Sequence, residues 1–163
     1  MLGNFLPGQK TSGGLKPERP DTAIELKVRA LRYLTRREHS RVELARKLSP
    51  HADSPQALET LLDELAQRKQ LSDERYAETR AQWLSRKYGA AKIRHDLKSH
   101  GVADAVVDRV SAEGELERAR SILHKKYRQP PSSREDKARR ARFLQGRGFS
   151  MDVIQSLVLR GED

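Results

Sequence analysis

The stretch from Lys137 to Met151 reads KARRARFLQGRGFSM, and five of its first eleven residues are basic. Guanidinium and ammonium groups bind phosphate oxygens and carboxylates through charge-assisted hydrogen bonds, arginine often through two at once. Arg139, Arg140 and Arg142 therefore offer anion recognition, and they do not stand alone. Between Arg118 and Arg147 the chain carries eleven basic residues against two acidic ones, and Lys125, Lys126 and Arg128 belong to that run. A smaller basic group, Arg29, Arg32, Arg36, Arg37 and Arg41, contains Glu38 as its only acid. Arg86, Lys92 and Arg94 lie between the two groups. A helix that turns Phe143 and Leu144 inward must turn polar residues outward, and arginine is a good helix former. Roughly ten positive charges on so short a segment nevertheless exceed what solubility requires, and they favour a partner rich in phosphate or carboxylate.

Other chemistry is poorly provided for. The five histidines, His39, His51, His95, His100 and His124, are dispersed, and His95 beside Asp96 points to a different helix face. Without cysteine there are no disulfides and no thiolate sites. Gly146 and Gly148 lack both the preceding strand and the following Gly-Lys-Ser or Gly-Lys-Thr of a phosphate loop. The adjacent carboxylates Asp63 and Glu64, or Glu135 and Asp136, read as solvated helix positions. A non-enzymatic binding protein is expected, with no cofactor, no metal and no small-molecule substrate. The net charge of +10 over 163 residues agrees with an anionic macromolecular partner. No apolar run approaches the roughly 20 residues that span a bilayer, and the N-terminus lacks a signal-peptide hydrophobic region, so the expected location is cytoplasmic.

The elements that must position these cations are helices throughout. Residues 1–20 are rich in glycine and proline and predict a flexible tail. Ile24, Val28, Leu31 and Leu34 then step by three and four along one expected helix face. Ser40 with Glu43 predicts a capping box, and Ser54 with Pro55 predicts another helix start, followed by the apolar stripe of Leu58, Leu61, Leu62 and Leu65. In LSDERY, Leu71 is placed to pack on Tyr76 across the cap Ser72, while Asp73 and Glu74 face the positive end of the helix dipole. The long helix that follows has Trp83 among its expected anchors and stops near Gly89.

Leu97, Gly101 and Val102 form a Leu-x-x-x-Gly-apolar helix stop, with the glycine left-handed and the apolar residue folding back. Leu144, Gly148 and Phe149 repeat it 47 residues later. Val106 and Val110 beyond the first glycine match Val153 and Leu157 beyond the second. A looser copy, without the glycine, occupies the first third of the chain. The plan is all-α: three tandem three-helix repeats over residues 21–70, 71–112 and 113–163, forming an elongated, curved array.

The blocks ALRYLTRREHSRVELARKL, LSDERYAETRAQWLSRKYGAAKIRHDLKSHGV and KARRARFLQGRGFSMDVIQSLV resemble, in order and spacing, the three motif blocks of the bacterial RecX regulatory proteins. The resemblance covers nearly everything from Thr22 to Val158. It implies an elongated helical protein that binds the filament of the RecA recombinase, lies along its groove, and suppresses ATP hydrolysis and strand exchange. The matching positions include Arg36, Arg37 and Ser40; Asp73, Arg86, Gly89, Ile93 and Leu97 to Gly101; and Arg139 to Phe149. Most have a capping or packing role. The cations without one are the expected contacts: Arg36, Arg37, Arg86, Lys92, Arg94, Lys125, Lys126, Arg128, Arg139, Arg140 and Arg142. Direct, sequence-blind DNA binding by an arginine-faced helical module remains a competing expectation, as does a scaffold for an unrelated acidic protein.

Overall fold

A computed structural model describes residues 19–160. The tail expected over residues 1–20 lies outside the described residues except for Arg19 and Pro20. The described chain is helical and contains no strand. Its first unit comprises α1 (Ala23–Leu34), α2 (Arg41–Leu48) and α3 (Pro55–Gln67), with a short 3-10 turn, Ser49–His51, after α2. The second comprises α4 (Asp73–Ser85), α5 (Ala90–Ser99) and the single turn α6 (Asp104–Val107). The third comprises α7 (Glu115–Lys126), α8 (Arg134–Gly146) and α9 (Met151–Ile154), which continues as a π-helical segment, Gln155–Arg160.

Hydroxyl caps start most of these helices. Thr22, Ser40, Ser54, Ser72, Ser133 and Ser150 each accept a hydrogen bond from the backbone N–H three residues on, satisfying a donor that the helix itself cannot. Each unit closes over its own core. The first is built on Leu26, Ala30, Leu44, Leu48, Leu58, Leu61, Leu62, Leu65 and Leu71. Tyr76, Ala77, Leu84, Ile93, Leu97, Val102 and Val107 make the second; Ala119, Leu144, Phe149, Ile154 and Val158 make the third. With roughly 2 kcal/mol from each fully buried large apolar side chain, the third core supplies the least stability and leans most on its neighbour.

Both glycine helix stops form as the sequence predicts. Val102 N–H returns to Leu97 O at 3.1 Å and Phe149 N–H to Leu144 O at 3.2 Å, with Gly101 and Gly148 at φ of 75° and 79°. The tertiary structure gives these turns a second role. In the first and second units the start of the middle helix seats on the glycine turn of the following unit. Ser40 Oγ donates to His100 O at 2.7 Å, and a Cβ on Gly101 would lie 2.5 Å from the Val42 side chain. Likewise Gly89 N–H donates to Arg147 O at 2.8 Å, and a Cβ on Gly148 would lie 2.6 Å from the backbone nitrogen of Lys92. A carboxylate completes each junction. Asp73 accepts from Arg41 N–H and Glu115 from Ala90 N–H, both at 2.8 Å, and each acid is the first residue of the next unit's opening helix. In the first unit the matching turn carbonyl, His51 O, accepts from Asp21 N–H at 2.8 Å, so the chain's own lead-in fills the place a preceding unit would take.

Several expectations change. The buried face of α1 centres on Leu26 and Ala30; of the expected stripe Leu31 and Leu34 are partly buried against the same core, while Ile24 is 77% exposed and Val28 is also exposed, because packing against α2 and α3 turns the buried face away from them. Trp83 is 55% exposed and does not anchor the second core. Only half of the Ser40 capping box forms, since Glu43 turns away to Arg37. The complete box is Thr22 with Glu25. Leu71 and Tyr76 are both buried but belong to different cores, so no staple joins them.

Candidate functional site

The expected cations fall into three kinds of environment. Arg36 after α1, Arg86 at the end of α4, Lys125 near the end of α7, Arg128 beyond it and Arg142 on α8 are exposed, and no carboxylate, carbonyl or ring engages their side chains. Arg139 is exposed and sits 3.8 Å from Asp136, a loose surface pair. These six face solvent and are spread over all three units.

A second set holds the fold. Arg37 forms a two-pronged ion pair with the buried Glu43, and the guanidinium holds that carboxyl down at about 2 against desolvation. Arg94 donates to Val110 O at 2.7 Å and ties α5 to the end of its unit. Arg140, expected on the open face, is 9% exposed. It donates to Gln129 O and Asp136 Oδ2, both at 2.9 Å, and its guanidinium stacks on Tyr127 at 4.6 Å. Adjacent positions on α8 thus divide, because Arg139 and Arg142 point outward while Arg140 turns toward the loop that joins α7 to α8.

In the third set, cations rest on aromatic rings. Lys126 Nζ lies 4.4 Å from the centroid of Phe143 and 5.8 Å from that of Tyr127, and these two rings meet edge to face at 5.9 Å. Arg147 lies 4.6 Å from Phe143 and 5.8 Å from Tyr88. Lys92 stands 4.7 Å from Tyr88. Rings and cations therefore alternate without a break from the third unit onto the start of α5. Sequence reading singled out Lys92 and Lys126 but missed Arg147, Tyr88 and Tyr127, because nothing in their spacing shows that a unit junction brings them together.

Several other arginines are matched with acids. Arg29 pairs with Asp21, Arg41 with Glu59 and Asp63, Arg75 with Glu38, and Arg80 with Asp96. Arg80 holds the Asp96 carboxyl below its ordinary range, and burial pushes the His39 imidazole down toward its neutral form. Grooves of about 480 and 320 Å³ flank α4. Their acids and bases line the walls as ion pairs and isolated charges. Among the described residues no three His, Cys, Asp or Glu side chains converge as metal ligands, and no helix is long and apolar enough to cross a membrane.

Family models for the first, second and third three-helix domains of RecX match residues 27–65, 72–110 and 113–158. The chain belongs to the RecX family. Regulatory protein RecX of Leptothrix cholodnii is 45% identical over 83% of this chain and 88% of its own length. The RecX of Ralstonia nicotianae is 40% identical over 88% of this chain and 92% of its own, and that of Neisseria gonorrhoeae 35% identical over 91% and 95%. A crystal structure of RecX from Lactobacillus salivarius shares the fold, with a TM-score of 0.72 at 19% identity over 85% of this chain and 95% of that one. The RecX proteins are regulatory proteins, and the helical three-unit architecture of this chain is theirs.

Proposed function

We propose that this RecX protein binds the RecA nucleoprotein filament along its groove and inhibits ATP hydrolysis and strand exchange. The observation that carries the reading is the set of unpaired, exposed cations spread over all three units of a tandem array: Arg36, Arg86, Lys125, Arg128 and Arg142. Each contact is weak alone, since an exposed ion pair contributes at most about 1 kcal/mol. Several made at once across neighbouring subunits give avidity for an assembled filament that a free subunit cannot match. Inhibition follows mechanically, by holding subunits away from their active arrangement or by denying the groove to a second DNA.

The test is ATP hydrolysis by RecA on single-stranded DNA with the native protein and with a Lys125→Ala, Arg128→Ala, Arg142→Ala variant. Arg140 stays in place, because its burial would confound binding with folding. The native protein is expected to slow hydrolysis and the folded variant to lose most of that effect. Unchanged hydrolysis with the native protein sinks the inhibitor reading, and full inhibition by the variant sinks this choice of contacts.

A further inference from the structure

We propose that the alternating run of rings and cations at the junction of the second and third units is a binding site for single-stranded nucleic acid. Its members are Tyr127, Lys126, Phe143, Arg147, Tyr88 and Lys92, with Arg140 beneath Tyr127 as a buried support. The inference deepens the filament reading by assigning the contact with the DNA strand, and it can be tested without RecA.

The way rings and cations are interleaved carries the argument. Several arginines elsewhere, Arg29, Arg41, Arg75 and Arg80 among them, spend their charge on carboxylates. Within the run, Lys126, Arg147 and Lys92 have no carboxylate partner. They lie against ring faces and backbone carbonyls, Arg147 donating to Lys87 O at 2.9 Å and Lys92 to Gly146 O at 3.4 Å. A ring steadies a cation without cancelling its charge. The exposed, unpaired Lys125, Arg128 and Arg142 flank the run and add to the same positive field.

A ligand matching this surface must bring negative charges at intervals and flat faces between them. A single nucleic-acid strand does both, since its phosphates take the cations and its unpaired bases stack on the half-buried rings. Duplex DNA keeps its base faces inside and can use only the charges. No amide side chain belongs to the run, so binding is sequence-tolerant. Lysine and arginine tips are free to swing from ring to phosphate, leaving the ring face to a base.

The experiment is fluorescence anisotropy of a labelled oligodeoxythymidine with the whole protein alone, across a salt series, against duplex of equal length. Phe143→Leu keeps the net charge and an apolar contact with the third core; Tyr88→Leu probes the other end of the run, and circular dichroism checks the fold of both. Native protein is expected to prefer the single strand, and each ring variant to lose about tenfold in affinity with an unchanged salt slope. Lys126→Gln is expected to lower the slope by about 0.7, one phosphate contact on a single strand. Equal affinity for duplex, or ring variants that bind as native while Lys126→Gln weakens binding, overturns the site in favour of a plain charged patch. Absence of strand binding with RecA inhibition intact also overturns it, and assigns the surface to the recombinase protein while leaving the filament reading in place. Strand binding without RecA inhibition supports the site and sinks the filament reading instead.

Discussion

Arg37 and Arg142 are both arginines in basic stretches, yet their side chains have opposite assignments. Arg142 is unpaired and exposed; Arg37 neutralises a carboxylate that is buried between α2 and α4. Arg37→Ala strands that charge, at a cost of about 2 kcal/mol in a chemical-denaturation experiment. The figure is below that of a fully buried pair because Arg37 is half exposed and Lys47 remains 3.5 Å from Glu43. Titration tests the same pair. Glu43 falls from its ordinary value of 4.5 to about 2 in the folded protein, so it binds protons less readily folded than unfolded. Its stabilising contribution is complete above pH 4.5 and is lost as pH falls from there through about 2. Glu43→Gln is expected to flatten the acid limb of stability against pH in that window. At another residue, Lys69 ends α3 in the left-handed region with φ of 56°, where a side chain is strained by roughly 1 kcal/mol. Lys69→Gly is expected to raise the melting temperature by relieving it.

At the scale of elements, two glycines two residues apart on and after α8 are expected to behave oppositely. A Cβ on Gly146 meets nothing within 4 Å, and alanine there favours the helical backbone that Gly146 already adopts, a gain of up to about 1 kcal/mol. A Cβ on Gly148 sits at φ of 79° and would lie 2.6 Å from the backbone of Lys92. Gly148→Ala therefore damages the helix stop and the seat of the preceding unit together, and is expected to destabilise by about 2 kcal/mol or more in a thermal melt. The first of these roles was legible, because a left-handed residue flanked by Leu144 and Phe149 leaves a fixed local pattern. The second was not, because the seat is made by Gly89 and Lys92, more than fifty residues away in sequence. The face of α1 was legible only in part for a related reason, Leu31 and Leu34 reaching the core while Ile24 and Val28 do not. Ile24 and Leu26 lie about 200° apart at 100° per residue, both stripes are apolar, and only the neighbouring helices choose between them.

At the scale of the whole molecule, the units are coupled by two versions of one joint, in which a first-turn acid accepts from the first N–H of the preceding unit's middle helix. Glu115 is 4% exposed, so Glu115→Ala leaves Ala90 N–H buried without its partner. The expected result is uncoupling rather than general unfolding. Amide hydrogen exchange should accelerate first across α7 to α9, whose core is the smallest, while α1 to α3 keep native protection. Uniform loss of protection over all three units would show that the joint does not set their coupling.

What the sequence determined by itself was the local and the repeated: hydroxyl caps, the leucine stripe of α3, two glycine stops at matching spacing, and an excess of positive charge in the last third of the chain. These depend on residues within one or two turns of each other, so their pattern survives in one dimension. Tertiary structure decided which cations are spare. Arg139, Arg140 and Arg142 are alike as letters, and only the loop that carries Gln129 draws the middle one inward. It also decided that Tyr88, Phe143 and Tyr127 share a run of cations, because the joint between units brings together side chains that no local spacing connects.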